Sequence, residues 1–271
     1  MFKTTKIEDL RPISDLVSLK GRRALITGSA TGIGKAMACR FAESEAALEL
    51  VDINEEMLRS TKDELTNFKV EINIHRVDLS KKDEIISLWK KLDRREPDIL
   101  VNNAGIYPFK NFIEIDEAFL EKVMKINFYS AFWMCQHMIR ARMDKGGVII
   151  NIGSIEAVLP FKEGMAHYDS SKAGVIALTR ALAKDYGKEG FRINAIIPGG
   201  IITSGTKNAA KEVLKLNFGL IKTGIEFRNR LPLGRFGQPD EVALIALVLA
   251  SDLSSYVHGS LIPVDGGFLS A

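Results

Sequence analysis

The chain has little of what would mark it as secreted, metal-bound or membrane-embedded. Cys39 and Cys135 are its only cysteines, and each falls in a helical pattern, so buried free thiols are expected rather than a disulfide. The four histidines, His75, His137, His167 and His258, form no HExxH or similar spacing, so no structural or catalytic metal is expected. The longest apolar run, Val242 to Ala250, is far short of the roughly 18 residues that suggest a membrane span. Residues 1 to 20 carry Lys3, Lys6, Glu8, Asp9, Arg11 and Asp15 without an apolar stretch between them, so they do not read as a secretory signal, and a cytoplasmic protein is expected. An excess of one charge is missing too. The net charge is +3 with both signs well mixed, which implies no nucleic-acid surface and no membrane partner.

What is present is enough for one large α/β domain: 271 residues, 46% hydrophobic and 26% charged, with no internal repeat or interdomain linker. A polar arm, residues 1–19, has a short apolar periodicity at Ile13, Leu16, Val17 and Leu19 and is expected to pack on the domain surface or on a neighbouring subunit. From Arg23 the pattern changes to Ala24-Leu25-Ile26, a run suited to a strand buried on both faces. Thr27 to Gly34 is a glycine-rich turn containing Gly28, Thr31, Gly32, Ile33 and Gly34, and a helix is expected from Lys35 to about Ser44. Strand, glycine turn and helix in that order make the helix N-terminus an anion site that backbone can approach closely.

The next strand, Ala47 to Val51, ends at Asp52, 18 residues after Gly34, where a carboxylate would accept from an adenosine ribose diol and repel a 2′-phosphate. NAD is therefore expected over NADP. Ile72–Val77, Asp98–Val101, Gly147–Ile152, Arg192–Ile197 and Leu261–Val264 read as further strands. Helices are expected at 82–92, 117–142, 169–186 and 239–251. Asp78 is expected to accept from an adenine amino group or to cap the helix that follows, two compatible roles. Asn103, Ala104 and Gly105 lie at a strand end, where small and amide residues let backbone pass close to a cofactor and brace the neighbouring strand. The alternation predicts a doubly wound parallel sheet with helices on both faces, whose ligands bind beyond the strands' carboxyl ends. Gly28, Asp52, Asp78, Asn103, Ser154 and Thr203 all fall there. Residues 204 to 231 interrupt the rhythm and read as a lid bearing Lys207, Lys211, Lys215, Lys222, Arg228 and Arg230, the first three forming either a solvated stripe or an attractor for an anionic substrate.

Ser154 to Lys172 holds a hydroxyl, a phenol and an ammonium at usable spacings. Tyr168 and Lys172 are i and i+4 and share a helix face, so the ammonium is expected to favour the ionised phenol and make Tyr168 a general acid/base. Glu156, two positions beyond Ser154, points toward a polyhydroxylated substrate, with a surface carboxylate as its bland alternative. Asn127 interrupts the 117–142 helix pattern, and its plain reading is a buried amide bonding nearby backbone.

From about Leu19 onward these motifs resemble the short-chain dehydrogenase/reductase family: Thr-Gly-x-x-x-Gly-x-Gly, Asn-Asn-Ala-Gly, Ser, Tyr-x-x-x-Lys, Pro-Gly and Val-Asp-Gly-Gly, in the family's order. The resemblance implies a catalytic tetrad of Asn127, Ser154, Tyr168 and Lys172, with Ser154, Glu156 and Tyr168 meeting the substrate. Tyr168 would exchange a proton with the substrate oxygen that Ser154 positions; Lys172 would lower the Tyr168 pKa and bind the nicotinamide ribose, and Asn127 would link Lys172 to solvent through a water. It also implies a cofactor shell that adds Ile53, Leu79, Pro198, Gly199, Ile201 and Thr203 to the glycine turn, Asp52, Asp78 and Asn103 to Gly105, and a homotetramer. The activity it implies is hydride transfer between NAD and a small secondary alcohol or ketone, with a sugar, polyol or sugar acid favoured by Glu156 and by His167 beside Tyr168. A 3-oxoacyl-carrier-protein reductase is the alternative, against which Asp52 counts because that reaction ordinarily uses NADPH; a non-catalytic cofactor-binding protein would have no use for Tyr168 and Lys172. Where the family usually has glycine ending the first helix, this chain has Glu45, so that cap must use another conformation or residue.

Overall fold

Seven strands, all parallel, form one sheet in the order β3-β2-β1-β4-β5-β6-β7. In chain order they are β1 (Arg23–Thr27), β2 (Ala47–Asp52), β3 (Ile72–Arg76), β4 (Ile99–Asn102), β5 (Gly147–Ile152), β6 (Phe191–Pro198) and β7 (Leu261–Val264). The computed structural model describes residue 6 and residues 9–203 and 226–271. The strand order runs outward in both directions from β1 and β4 and so reverses between them, and a crevice opens there at the carboxyl ends. Pro263 lies in β7, an edge strand, where its missing N–H costs no ladder bond.

The strands are short and apolar because both faces are covered. In β1, Ala24 and Ile26 face one core and Leu25 the other. The first core packs α2 (Gly32–Glu43), α3 (Glu55–Leu65) and α8 (Pro239–Ala250) on the sheet. The second packs α4 (Lys82–Lys91), α6 (Ser130–Ala141) and α7 (Ala166–Tyr186). Helix α3 went unread in the sequence although Asn54 caps it, accepting from Met57 N at 3.0 Å, and Glu55 and Glu56 occupy its first turn.

Helix α2 starts at Gly32 rather than Lys35, so the last two glycines belong to its first turn. It ends on Glu45 itself, at φ 69°, with Glu45 N donating to the Ala42 carbonyl and Ala46 N to that of Phe41. This pair of bonds is the termination that glycine ordinarily makes. The arm contributes α1 (Ile13–Val17), which buries none of its residues, while Leu19 behind it is fully buried and Arg11 reaches Asp252 at 2.8 Å. The expected long helix from 117 to 142 is α5 (Glu117–Met124) and α6, joined without a break by a π-helical turn, Lys125–Tyr129. Asn127 sits in that turn. Both cysteines are free, Cys135 buried and Cys39 only half-buried. No described helix is long and apolar enough to cross a membrane.

Candidate active site

The glycine turn is built by close approach. A Cβ on Gly34 would lie 2.1 Å from the Gly28 carbonyl oxygen, and one on Gly28, at φ 64°, would lie 2.9 Å from Ala104 Cα. Asn103 holds this arrangement: its Nδ2 donates to the carbonyls of Thr27 (2.9 Å) and Gly28 (3.0 Å), while Asn103 N and Ala104 N both donate to Thr27 Oγ1 at 3.0 Å. The amide therefore braces β1 against β4, as its place at a strand end implied. Thr31 precedes α2 and makes no side-chain cap bond, so the first-turn N–H groups of α2 face the crevice with the positive end of the helix dipole. Thr203 covers that end, its Cβ and Cγ2 both 3.4 Å from a Cβ built on Gly32.

At the end of β2, Asp52 Oδ2 accepts from Ala30 N at 3.2 Å and Oδ1 from Asn54 N at 3.0 Å, which fixes the carboxylate beside the glycine turn. Its neighbour Ile53 is exposed. Asp78 does not cap α4. The residue before α4 is Lys81, with no side-chain cap bond, and Asp78 instead accepts from Ser80 N (3.0 Å) and Ser80 Oγ (2.6 Å). Those Ser80 bonds hold the Asp78 carboxyl below the usual range. Leu79 beside it is buried.

Beyond β4, β5 and β6 lies a cleft of about 770 Å³ that joins Ile33, Asn103 and Gly105 to Ser154, Glu156, Tyr168, Lys172, Pro198, Gly199, Ile201 and Thr203. The chain brings together most of the residues that the sequence marked. Asn127 borders it from the π turn, its Oδ1 accepting from Ile106 N (2.8 Å) and its Nδ2 donating to Ile106 O (3.0 Å) and Ser171 Oγ (3.1 Å). The plain reading of Asn127 as a buried amide holds here. The amide bonds local backbone, and a Cβ on Gly105 would lie 3.4 Å from its Oδ1 and 3.5 Å from Lys172 Nζ. Lys172 Nζ itself donates to the Ile152 carbonyl at 2.8 Å.

The electrostatics differ from expectation. Burial pushes the Tyr168 phenol up to about 12 despite its hydrogen bond to Ser154, and burial brings Lys172 down to about 8. The ammonium is 6.0 Å from the centre of the Tyr168 ring, and within the chain alone desolvation outweighs its influence on the phenol. Asp169, the next residue, is pushed up to about 6 by burial and by the Glu156 charge.

Glu156 is buried, not a surface carboxylate. Its Oε2 accepts from Phe161 N (2.9 Å) and Lys162 N (3.3 Å), and Oε1 has no hydrogen-bond partner. His167 is turned elsewhere: its Nε2 lies 2.8 Å from the Pro108 carbonyl and its ring stands edge-on to Phe119, outside the cleft lining. Sequence spacing gave no sign of Tyr107, Lys162, Phe227 or Phe236, which wall the cleft from three separate segments, Phe227 from a helical turn. Only the two glycines before Ile201 hinted at a close approach; a Cβ on Gly200 would meet the Phe227 ring at 2.4 Å. Of the expected lid, Phe227 and Leu231 are buried, while Lys207, Lys211, Lys215 and Lys222 lie outside the described residues.

Comparison with known proteins agrees with this geometry. A family model described as "Enoyl-(Acyl carrier protein) reductase" matches residues 28–269. A 3-oxoacyl-[acyl-carrier-protein] reductase, FabG, of Chlamydia pneumoniae is 36% identical over 93% of this chain and 98% of its own. An NAD-dependent glycerol dehydrogenase of Listeria innocua is 34% identical over 90% of this chain and 92% of its own. A solved structure from Beutenbergia cavernae, described as a putative NAD(P)-dependent gluconate 5-dehydrogenase with NADP bound at low occupancy, superposes with a TM-score of 0.87 at 29% identity, covering 94% of this chain and all of that one. With its 3-2-1-4-5-6-7 sheet, its glycine turn locked by Asn103 and its Ser, Tyr and Lys gathered at one cleft, the chain belongs to the short-chain dehydrogenase/reductase family, oxidoreductases that act on alcohol and keto groups with a nicotinamide cofactor.

Proposed function

We propose that the protein is an NAD-dependent dehydrogenase that oxidises a secondary alcohol of a small hydroxylated substrate, a sugar, polyol or sugar acid. The observation that carries the substrate class is Glu156: a buried carboxylate in the cleft wall with one oxygen held by two backbone N–H groups and the other unpartnered, an acceptor for substrate hydroxyls. The residues fit a dinucleotide. The open N-terminus of α2 suits a pyrophosphate, and Asp52, fixed by Ala30 N and Asn54 N, retains lone pairs for a ribose diol and opposes a 2′-phosphate. Ile53, Asp78 and Leu79 then border the adenosine, Asn103 to Gly105 its ribose, and Pro198, Gly199, Ile201 and Thr203 the nicotinamide end. When bound, the cofactor would supply a hydride acceptor.

Tyr168 removes the hydroxyl proton as the substrate is oxidised, and Ser154 Oγ, hydrogen-bonded to the phenol, holds the substrate oxygen in line. Burial holds the phenol up at about 12, so its ionisation requires positive charge close by, which Lys172 would supply. Lys172, held at the Ile152 carbonyl, would bind the nicotinamide ribose hydroxyls, and Asn127, through a water, would connect Lys172 to solvent.

We assign the protein to the cytoplasm, in keeping with two free thiols, and propose a homotetramer. Leu120, Tyr129 and Phe132 on α5, the π turn and α6, and Leu244, Val248, Leu253 and Tyr256 on and after α8, leave large apolar side chains exposed on two separate surfaces. The functional test is a screen of aldoses, polyols, aldonates and 3-hydroxyacyl thioesters with NAD and with NADP. Oxidation of a hydroxylated substrate with NAD is expected; activity confined to thioesters with NADP overturns the assignment.

A further inference from the structure

The wall of the cleft carries a half-buried cation that the proposed chemistry does not use. Lys162 lies in the loop between Ser154 and α7, and its ammonium donates to the Tyr107 hydroxyl at 2.6 Å. Among the described residues it makes no ion pair, and burial draws its pKa below the usual lysine value. A lysine ammonium carries three N–H donors, so two remain. The rings of Tyr107 and Phe227 stand 5.0 and 5.5 Å from it and cover part of its surface. Tyr107 ties this cation to the reacting centre, because its ring packs edge-on against Tyr168 with centroids 4.8 Å apart. Lys162 N also donates to Glu156 Oε2, so the ammonium and the unpartnered Glu156 Oε1 are carried by one short loop structure.

We propose that Lys162 anchors a carboxylate of the substrate while Glu156 Oε1 accepts from a hydroxyl of the same molecule, so that the enzyme selects hydroxylated carboxylate anions over the neutral polyols of equal length. This rests on the dehydrogenase reading above and narrows its substrate. A desolvated ammonium whose protein partner is a neutral phenol gains most from an anion, and the cost of its burial is recovered when a carboxylate binds. The bound carboxylate takes the two open N–H donors of Lys162. The Glu156 carboxylate would repel that group, so it meets the hydroxylated part of the chain instead, which fixes the direction in which the substrate lies relative to Tyr168.

The experiment compares the oxidation of an aldonate with that of the alditol of the same chain length, using wild type, Lys162→Met and Lys162→Arg at saturating NAD. Wild type is expected to favour the aldonate in kcat/KM by about 10-fold or more. Lys162→Met should raise the aldonate KM by about 10- to 100-fold, leave kcat within about 3-fold, and change neither the alditol KM nor the KM for NAD; Lys162→Arg should keep most of the preference. Equal effects on both substrates, or a wild type that prefers the alditol, overturn the anchor and leave the dehydrogenase reading standing. A wild type that oxidises neither compound but accepts 3-hydroxyacyl thioesters overturns both. The wild-type preference needs no variant, so a misfolded Lys162→Met still leaves the proposal open to rejection.

Discussion

The ammonium of Lys172 is held 2.8 Å from the Ile152 carbonyl oxygen, at the end of β5, and not against the Tyr168 hydroxyl. The strand that delivers Ser154 thus also fixes the lysine, and one helical turn of α7 places the phenol above it. Buried there with a single carbonyl partner, Lys172 is brought down to about 8 from an ordinary 10.5. Between those values the unfolded chain binds more protons at this lysine than the folded one, so its contribution to stability rises as pH goes from about 8 to about 10.5. Urea unfolding of wild type and Lys172→Met at pH 8 and pH 10 should show wild type gaining relative to the variant, by about 2 kcal/mol. Parallel pH dependence in the two proteins contradicts the buried, depressed lysine.

Glu45 terminates α2 at φ 69°, in a conformation that costs an L-residue roughly 1–2 kcal/mol. Its one compensating contact is an exposed pairing with Lys20 at 3.4 Å, which contributes little. Glu45→Gly is expected to stabilise the fold by about 1 kcal/mol, after allowing for the extra chain entropy of glycine, and to leave kcat unchanged. A lower urea midpoint for the variant contradicts this account of the cap.

Asp52 carries the cofactor prediction. Asp52→Ser keeps an acceptor near Ala30 N and removes the charge, so kcat/KM with NADP should rise by about 10-fold or more while that with NAD falls. If wild type already prefers NADP, Asp52 does not set the choice.

The sheet and its rim were legible in the sequence because both depend on local patterns. Short apolar runs give strands covered on both sides, and the residues just past each run land at the carboxyl end, as Gly28, Asn103 and Ser154 do and as Asp52 does at the end of β2. Contacts between distant segments were not legible. Asp78 looked like a cap, yet Ser80 two residues on captures its carboxylate, and Glu84 reaches back to its N–H at 2.8 Å. The i, i+4 spacing of Tyr168 and Lys172 correctly implied one helix face, but burial, which spacing does not report, reverses the expected effect on the phenol. Lys162, Tyr107, Phe227 and Phe236 belong to segments that only the folded chain brings together, and the π turn that frames Asn127 has no period of its own to betray it.

The central claim is that Tyr168 exchanges the proton at the reacting oxygen while the cofactor binds independently of it. The most direct test measures NADH formation from the best substrate of the screen by wild type and Tyr168→Phe, alongside the NAD dissociation constant of each. The account predicts a fall in kcat of about 10²- to 10⁴-fold in the variant with NAD binding unchanged, since removing one hydroxyl deletes the acid/base and little else. Turnover within a few-fold of wild type, with NAD bound normally, would contradict it.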